Sequence, residues 1–194
     1  MPSVIIHEKV GEYVGKKLGL DSYDYYLGLL SPDAPNLEGF GPKEERWMAH
    51  QRKKDYDEWR ESILKFYLQE KDHYPKDFIK GYYIHVMTDI IYDDYFYAIV
   101  KEKIKATTEE DAHPIMREDM TKYSFEGQAR IKELLLTKDT SYDILNISKE
   151  RLKKWKEKEI TTWKEDNTCL FLTEDIIQHL EEKVYEEVRE TIGE

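Results

Sequence analysis

The feature that most constrains the fold is the stretch between Pro75 and Ala106, which reads KDFIKGYYIHVMTDIIYDDYFYAIVKEKIK and contains no proline. Pro75 suits a helix start. Apolar and aromatic side chains lie almost all round a helix drawn through this stretch, which is typical of a helix in the middle of a bundle. They include Phe78, Ile79, Tyr82, Tyr83, Val86, Met87, Ile90 and Ile91. We therefore predict one long central helix over about 76–105, roughly 45 Å in length.

Helical spacing of apolar residues also predicts helices outside this stretch. They cover approximately residues 7–18, 55–68, 114–136, 148–160 and 174–192. Strand-like alternation is confined to a weak pattern at 168–173. We therefore predict an all-α, single-domain helical bundle over residues 1–194, in which 107–194 form a helical remainder that covers a cleft.

Charge and cysteine content exclude several classes of protein. The chain has 41 acidic and 30 basic side chains, and its one basic cluster, KERLKKWKEK at 149–158, is interleaved with glutamates. We predict that this cluster is a solvated helix face, and we expect no nucleic-acid binding through a basic face. The single cysteine, Cys169, permits no intramolecular disulfide and no CxxC site, so any metal must be held by histidine and carboxylate. Without a long apolar run or a signal-peptide pattern, we expect no membrane span and a cytoplasmic location.

Irregular backbone is concentrated at the beginning of the chain. Six of the nine glycines and four of the six prolines lie in the first 42 residues. We predict a structured loop at 31–42, in which Pro32 and Pro35 restrict the backbone on either side of Asp33. This loop can therefore hold the Asp33 carboxylate in a defined place.

The central helix carries two residues that are costly to bury. His85 and Asp89 are four residues apart and therefore lie on one face of the helix. Either Asp89 orients a buried histidine, or both side chains hold a metal ion, as helical ligands with this spacing do in H-E-x-x-H proteins. Three further side chains of ligand type occur earlier in the chain: His7, Asp33 and His50.

The candidate residues lie in motifs that resemble a known family. The motifs, in order, are IIHEKVG around His7, LGLLSPD ending at Asp33, the isolated His50, and GYYIHVMTD, which contains His85 and Asp89. With these motifs, about the first 100 residues resemble the zinc-dependent phospholipase C family, including its short, non-secreted bacterial relatives.

The resemblance implies a metal site built from residues 1–90. It implies that a first ion is held by Asp33, His50, His85 and Asp89, and that His7 and a bridging Asp89 hold a second. Zinc is the expected metal. It also implies that Asp33 orients or deprotonates the attacking water, which makes Asp33 the predicted catalytic residue. The implied reaction is hydrolysis of a phosphodiester or phosphomonoester, with a small-molecule or lipid-headgroup substrate.

The chain departs from the family pattern in its second half and at its start. The secreted members use a mature N-terminal tryptophan and a downstream H-x-x-x-E pair. Here the chain begins with Met-Pro, His113 is followed four residues later by Arg117, and His179 by Lys183. We therefore do not predict a full three-metal site.

Two other classes of protein use similar residues, and the sequence favours them less. An HD-type phosphohydrolase also uses helical histidines and aspartates, but it requires an adjacent His-Asp pair, and none of the six histidines here is followed by aspartate. A non-enzymatic helical interaction protein would use His85 and Asp89 as a buried pair and bind a basic partner through its acidic surface. The sequence predicts no oligomeric state.

Other residues of ligand type are predicted to lie outside the metal site. His73 and Asp77 share the H-x-x-x-D spacing, but Pro75 lies between them, so we predict that His73 is in a surface loop. His113 and His179 are predicted to be structural or exposed. Asp93, one turn beyond Asp89, could be a further metal ligand, but we predict that it holds a histidine by a hydrogen bond.

Overall fold

The computed structural model describes residues 2–140, 142–163 and 167–193. Helices cover most of these ranges: α1 (Val4–Leu18), α2 (Tyr23–Leu30), a 3-10 helix (Ser31–Asn36), α3 (Lys43–Ala49), α4 (Tyr56–Glu70), α5 (Lys76–Ile91), a π-helix (Tyr92–Phe96), α6 (Tyr97–Lys105), α7 (Ala112–Met120), α8 (Gln128–Leu136), α9 (Lys149–Thr162) and α10 (Glu174–Ile192). The described ranges contain no strand, and the buried apolar residues form one core cluster. The predicted all-α helical bundle is therefore confirmed. Within those ranges, no helix combines the length and the apolar character needed to cross a membrane.

The predicted central helix forms, with one irregularity. α5, the π-helix and α6 follow one another without a break from Lys76 to Lys105. The wider π turn falls directly after the part of α5 that carries His85 and Asp89. π turns within helices are frequent at functional sites because they redirect the side chains that follow.

Two other predictions from periodicity are wrong in detail. The helix predicted over 114–136 is divided into α7 and α8, and Tyr123 between them is buried in the core. No strand forms at 168–173. The backbone there turns around the Asp119 carboxylate, which accepts hydrogen bonds from the N–H groups of Leu170, Phe171 and Leu172.

A close crossing of α2 and α5 places the loop beside the central helix. A Cβ atom on Gly28 would lie 2.1 Å from the Phe78 carbonyl oxygen, and one on Gly81 would lie 2.1 Å from the Tyr25 carbonyl oxygen. Each helix therefore has a glycine where it meets the backbone of the other, and no larger residue fits this separation. Because α2 ends at Leu30, the crossing brings the segment that carries Asp33 onto the face of α5 that carries His85.

Helix α9 holds the same segment from the other side. Three of its side chains, spaced four and three residues apart, donate to backbone carbonyls: Arg151 Nη2 to Pro35 (2.9 Å), Trp155 Nε1 to Leu30 (3.0 Å) and Lys158 Nζ to Leu37 (2.8 Å). The prediction of a solvated face at 149–158 is therefore wrong for this side of α9. The reason is that carbonyls of an irregular segment need donors, and α9 supplies them.

Candidate metal centre

The five predicted ligand residues converge at one buried place. His7 comes from α1, Asp33 from the 3-10 helix, His50 from the residue after α3, and His85 and Asp89 from α5. All are buried, and Asp33 is the most exposed of them at 6%. The closest histidine–carboxylate pairs are His50 Nε2 with Asp89 Oδ2 (3.3 Å), His7 Nε2 with Asp89 Oδ1 (3.4 Å) and His50 Nε2 with Asp33 Oδ1 (3.5 Å). Four separate elements therefore contribute to one cluster.

Hydrogen bonds to backbone carbonyls orient two of the histidines. Nδ1 of His85 lies 2.6 Å from the Leu29 carbonyl oxygen, and Nδ1 of His50 lies 2.8 Å from that of Arg46. Because a carbonyl oxygen only accepts, Nδ1 carries the proton in both rings. Each neutral ring then turns the lone pair of Nε2 towards the cluster. The two Nε2 atoms lie 3.3 Å apart, so two neutral rings would face each other with no hydrogen between them.

Local structure fixes His50 firmly. The ring of Trp59 donates from Nε1 to the His50 carbonyl oxygen at 2.7 Å, and the Tyr82 hydroxyl donates to the neighbouring Ala49 carbonyl. The backbone turns at Gln51, which has a φ of 51°. Tyr82 is fully buried, and it therefore supports the backbone before His50.

His7 and Asp89 form the least satisfied part of the cluster. Both ring nitrogens of His7 and both carboxylate oxygens of Asp89 are buried and have no hydrogen-bond partner among the described residues. The His7 ring stacks on that of His85, with centroids 3.6 Å apart. Burying such groups without partners costs several kcal/mol, and a cation among them removes this cost.

The donor atoms form two overlapping groups of metal-binding type. Ligand atoms of His7, His85 and Asp89 lie within 4.8 Å of one another, and so do those of Asp33, His50 and His85. The side chains therefore fit a divalent ion in their donor chemistry, because imidazole and carboxylate suit zinc and related transition metals. His85 is common to both groups, but its one free nitrogen, Nε2, can bind a single ion, so Asp89 with its two oxygens stays the predicted bridging ligand.

The electrostatics of the cluster suit cation binding. Burial favours the neutral acids, yet contact with histidines lowers the pKa of Asp33 and of Asp89. Burial and the neighbouring His7 lower the pKa of His85 to about 3. Burial opposes protonation of His50, but contact with Asp33 and Asp89 raises its pKa. At neutral pH the two carboxylates are ionised and His85 is neutral, as metal binding requires.

These shifts predict acid destabilisation of the metal-free protein. The unfolded chain protonates His85 near pH 6.5, whereas the folded chain keeps it neutral down to about pH 3, so the unfolded state binds more protons between these values. His85 should therefore lower the free energy of unfolding by about 3 kcal/mol between pH 6.5 and pH 4, whereas Glu159, whose pKa is raised to about 7, contributes in the opposite direction. The contribution of His50 is constant in this window, because a raised pKa adds stability that is lost only at higher pH.

Urea unfolding of chelator-treated protein at a series of pH values measures this effect. The His85→Gln variant is the matched control, because the difference between the two proteins isolates the His85 contribution from that of carboxyl groups such as Glu159. The stability of the wild-type protein relative to the variant should fall over this window, and an unchanged difference between pH 6.5 and pH 4 would contradict the assignment of His85 as a buried neutral imidazole.

An open cleft of about 940 Å³ reaches the cluster at Asp33. Of the five cluster residues, Asp33 is the one that also lines this cleft. Trp155 and Glu159 of α9 and residues of α7 also line this cleft. Burial and the charge of Asp33 raise the pKa of Glu159 to about 7. The cleft has the size of a small-molecule site.

Sequence reasoning missed the residues that surround the cleft. Arg46, Arg117, Phe40 and Glu159 all line it, yet they are distant in sequence. Arg46 precedes His50 by four residues in the RWMAH stretch, and this helical spacing could have placed it near the site. The other three have no local signal, because only tertiary packing brings them to the cleft.

The remaining predicted positions divide into exposed and paired residues. His73, His113 and His179 are exposed, as predicted for surface or structural histidines. Asp93 forms an ion pair with Arg52 at 3.0 Å. This ion pair with arginine was not predicted, and the hydrogen bond between Asp93 and a histidine stays a prediction.

Comparisons of this chain with protein-family models, with curated proteins and with solved structures gave no match. The resemblance to the zinc-dependent phospholipase C family therefore stays a prediction that rests on the sequence motifs.

Proposed function

We propose that the protein is a metal-dependent hydrolase that cleaves a phosphoester by means of an activated water molecule. The proposed ligands of one or two divalent transition-metal ions, with zinc expected, are His7, Asp33, His50, His85 and Asp89. The observation that carries the proposal is the buried Asp89 carboxylate, which has no hydrogen-bond partner and lies between the Nε2 atoms of His7 and His50. The motif resemblance to zinc-dependent phospholipase C supports the same reaction.

Divalent ions in such a site would lower the pKa of water and offset charge on phosphoryl oxygens. The protein residues supply position and proton transfer. Asp33 lies where the cleft meets the cluster, so its carboxylate can orient an entering water and accept its proton. Asn36 holds this carboxylate through a hydrogen bond from Nδ2 to Oδ1 at 3.2 Å.

Glu159 is suited to donate a proton, whereas Asp33 accepts one. Its pKa, raised to about 7 by burial and by the charge of Asp33, is close to the value that suits a general acid at neutral pH. A carboxylic acid in the cleft wall can protonate the oxygen that leaves when the phosphoester bond breaks. Asp33 and Glu159 thus form a pair of carboxyl groups with different proton affinities, the arrangement that acid-base hydrolysis needs.

Elemental analysis of protein purified without a histidine tag tests the metal site. We expect about one to two equivalents of zinc or another transition metal in the wild-type protein. His85→Ala should remove most of it, because His85 belongs to both groups of donor atoms. His179→Ala is the control, since His179 is exposed and contacts the Asp175 carboxylate at 3.6 Å on the surface of α10.

A hydrolysis screen tests the reaction. p-Nitrophenyl phosphate, its bis-ester and nucleotides would be assayed with zinc, manganese, iron and nickel added singly. Turnover that depends on metal and is lost in His85→Ala supports the proposal. Substoichiometric metal that does not change in His85→Ala would sink the hydrolase proposal and favour the helical interaction protein, in which His85 and Asp89 form a buried pair.

A further inference from the structure

Two arginine side chains at the mouth of the cleft share one aromatic ring. The guanidinium carbon of Arg46 lies 3.7 Å from the centre of the Phe40 ring, and that of Arg117 lies 4.9 Å from it. Phe40 is 64% exposed and belongs to the same loop as Asp33. Two positive charges therefore lie close together beside this ring, in the cleft of a protein whose net charge is −11.

Neither guanidinium is neutralised within the described part of the chain. Arg46 contacts the Gly41 carbonyl and the Phe40 ring, Arg117 contacts the Phe40 ring, and no carboxylate of the described residues forms an ion pair with either arginine. By contrast, Arg52 in the same cleft pairs with Asp93 at 3.0 Å. Arg46 and Arg117 are therefore the cleft arginines that remain available to a ligand.

The carboxylates of the cleft have other roles. Glu118 pairs with Lys122 at 2.9 Å, and Asp93 pairs with Arg52. Asp33 belongs to the proposed metal cluster, and Glu159 is partly protonated because its pKa is raised to about 7. Of these carboxylates, Asp33 attracts the Arg46 guanidinium electrostatically, and none forms an ion pair with Arg46 or Arg117.

Hydrogen bonds connect Arg46 to Asp33 through the loop. Arg46 Nε donates to the Gly41 carbonyl at 2.9 Å, Gly41 N–H donates to Asn36 Oδ1 at 3.2 Å, and Asn36 Nδ2 donates to Asp33. This series of hydrogen bonds fixes the Arg46 guanidinium through Nε and leaves its two terminal amino groups for a ligand. A planar pair of amino groups matches the oxygens of a phosphate.

We propose that Arg46 and Arg117 form an anion clamp that binds a phosphate group of the substrate other than the one that reacts. The preferred substrates then carry at least two anionic groups, and a substrate with a cationic quaternary-ammonium headgroup is repelled. The substrate preference depends on the proposed hydrolase function, whereas the binding of phosphate by the clamp does not.

Binding of inorganic phosphate to chelator-treated protein tests the clamp without a metal. Isothermal titration calorimetry at low ionic strength should show binding that is weakened at least ~10-fold in Arg117→Met and in Arg46→Met, because each loses a charge-assisted hydrogen-bond donor. Arg117→Met is the cleaner variant, since the Arg117 guanidinium forms no hydrogen bond or ion pair with the described residues, whereas Arg46 also donates to the Gly41 carbonyl. Arg189→Met, an exposed arginine outside the cleft, is the control.

Kinetics of the metal-loaded protein test the substrate class. Phosphate release should be at least ~10-fold more efficient in kcat/KM with fructose 1,6-bisphosphate than with fructose 6-phosphate. Arg117→Met should abolish this difference mainly through KM. Sedimentation with phosphatidylcholine vesicles that contain phosphatidic acid distinguishes a lipid substrate from a soluble one. Binding that is lost in Arg117→Met identifies a lipid phosphate, and no binding identifies a soluble ester.

The two proposals fail in different ways. Phosphate binding that is absent, or equally weakened by Arg189→Met and Arg117→Met, overturns the clamp even if the protein turns over phosphoesters. Clamp-dependent phosphate binding in a protein that neither retains metal nor hydrolyses any ester overturns the hydrolase but leaves the clamp as an anion site.

Discussion

Replacement of Asp89 by asparagine is expected to remove the bound metal and to lower phosphoester turnover by at least ~100-fold, more than the 10–100-fold typical of residues that only orient ligands. Asp89 Oδ1 faces His7 and Oδ2 faces His50, so the carboxylate is placed to bridge two ions or to complete the ligands of one. An amide has nearly the same shape but lacks the negative charge that holds a cation. The protein should therefore remain folded while the site is lost.

Metal content, turnover and the near-ultraviolet circular dichroism spectrum together measure this result. Asp175→Asn is the matched control, because Asp175 also lies four residues from a histidine on a helix but its side chain is 81% exposed. Asp89→Asn protein that keeps its metal and its activity would contradict the assignment of Asp89 as a ligand.

Replacement of Gly81 by alanine is expected to destabilise the protein by about 3 kcal/mol, the upper end of the usual cost of overpacking. The new Cβ would lie 2.1 Å from the Tyr25 carbonyl oxygen and 3.0 Å from the Leu29 amide nitrogen, both of them backbone atoms that cannot move independently. α2 and α5 must then separate. Because His85 is oriented by the Leu29 carbonyl, metal affinity should fall as well.

The sign of this effect makes it informative. Alanine in a helix interior is normally favoured over glycine by ~1 kcal/mol, so the variant would be more stable if the two helices did not meet at Gly81. Urea unfolding of Gly81→Ala measures the change, with Lys80→Ala on the same helix as the control. Gly81→Ala protein that is as stable as the wild type, or more stable, would contradict the close crossing.

The helical class of the protein follows from local properties of the chain. The apolar stretch that forms α5 has no proline, and its apolar side chains lie on nearly all sides of a helix. Most other helices begin and end within a few residues of the predicted bounds. The predictions that failed share one cause. The division at Tyr123, the turn around Asp119 and the buried side of α9 all depend on contacts between residues far apart in sequence, which periodicity does not record.

The sequence also predicted the candidate ligands, but only from residue type and from motif resemblance. The spacing of His85 and Asp89 places them on one face of a helix. It does not distinguish a buried pair from a metal site, and it says nothing about His7 or Asp33. The motif resemblance selected the same five side chains, and the structure brings them together in one buried cluster.

The sequence predicts an all-α chain with a long central helix and a short set of histidines and aspartates suited to a metal. Helix formation depends on neighbouring residues, and ligand chemistry depends on residue type. Contacts between distant segments, in contrast, let two helices meet at Gly28 and Gly81, turn Nε2 of His50 and His85 inward, and bring Arg46 and Arg117 to Phe40. These features depend on the packing of distant segments, because a buried polar group is placed by the partners that surround it.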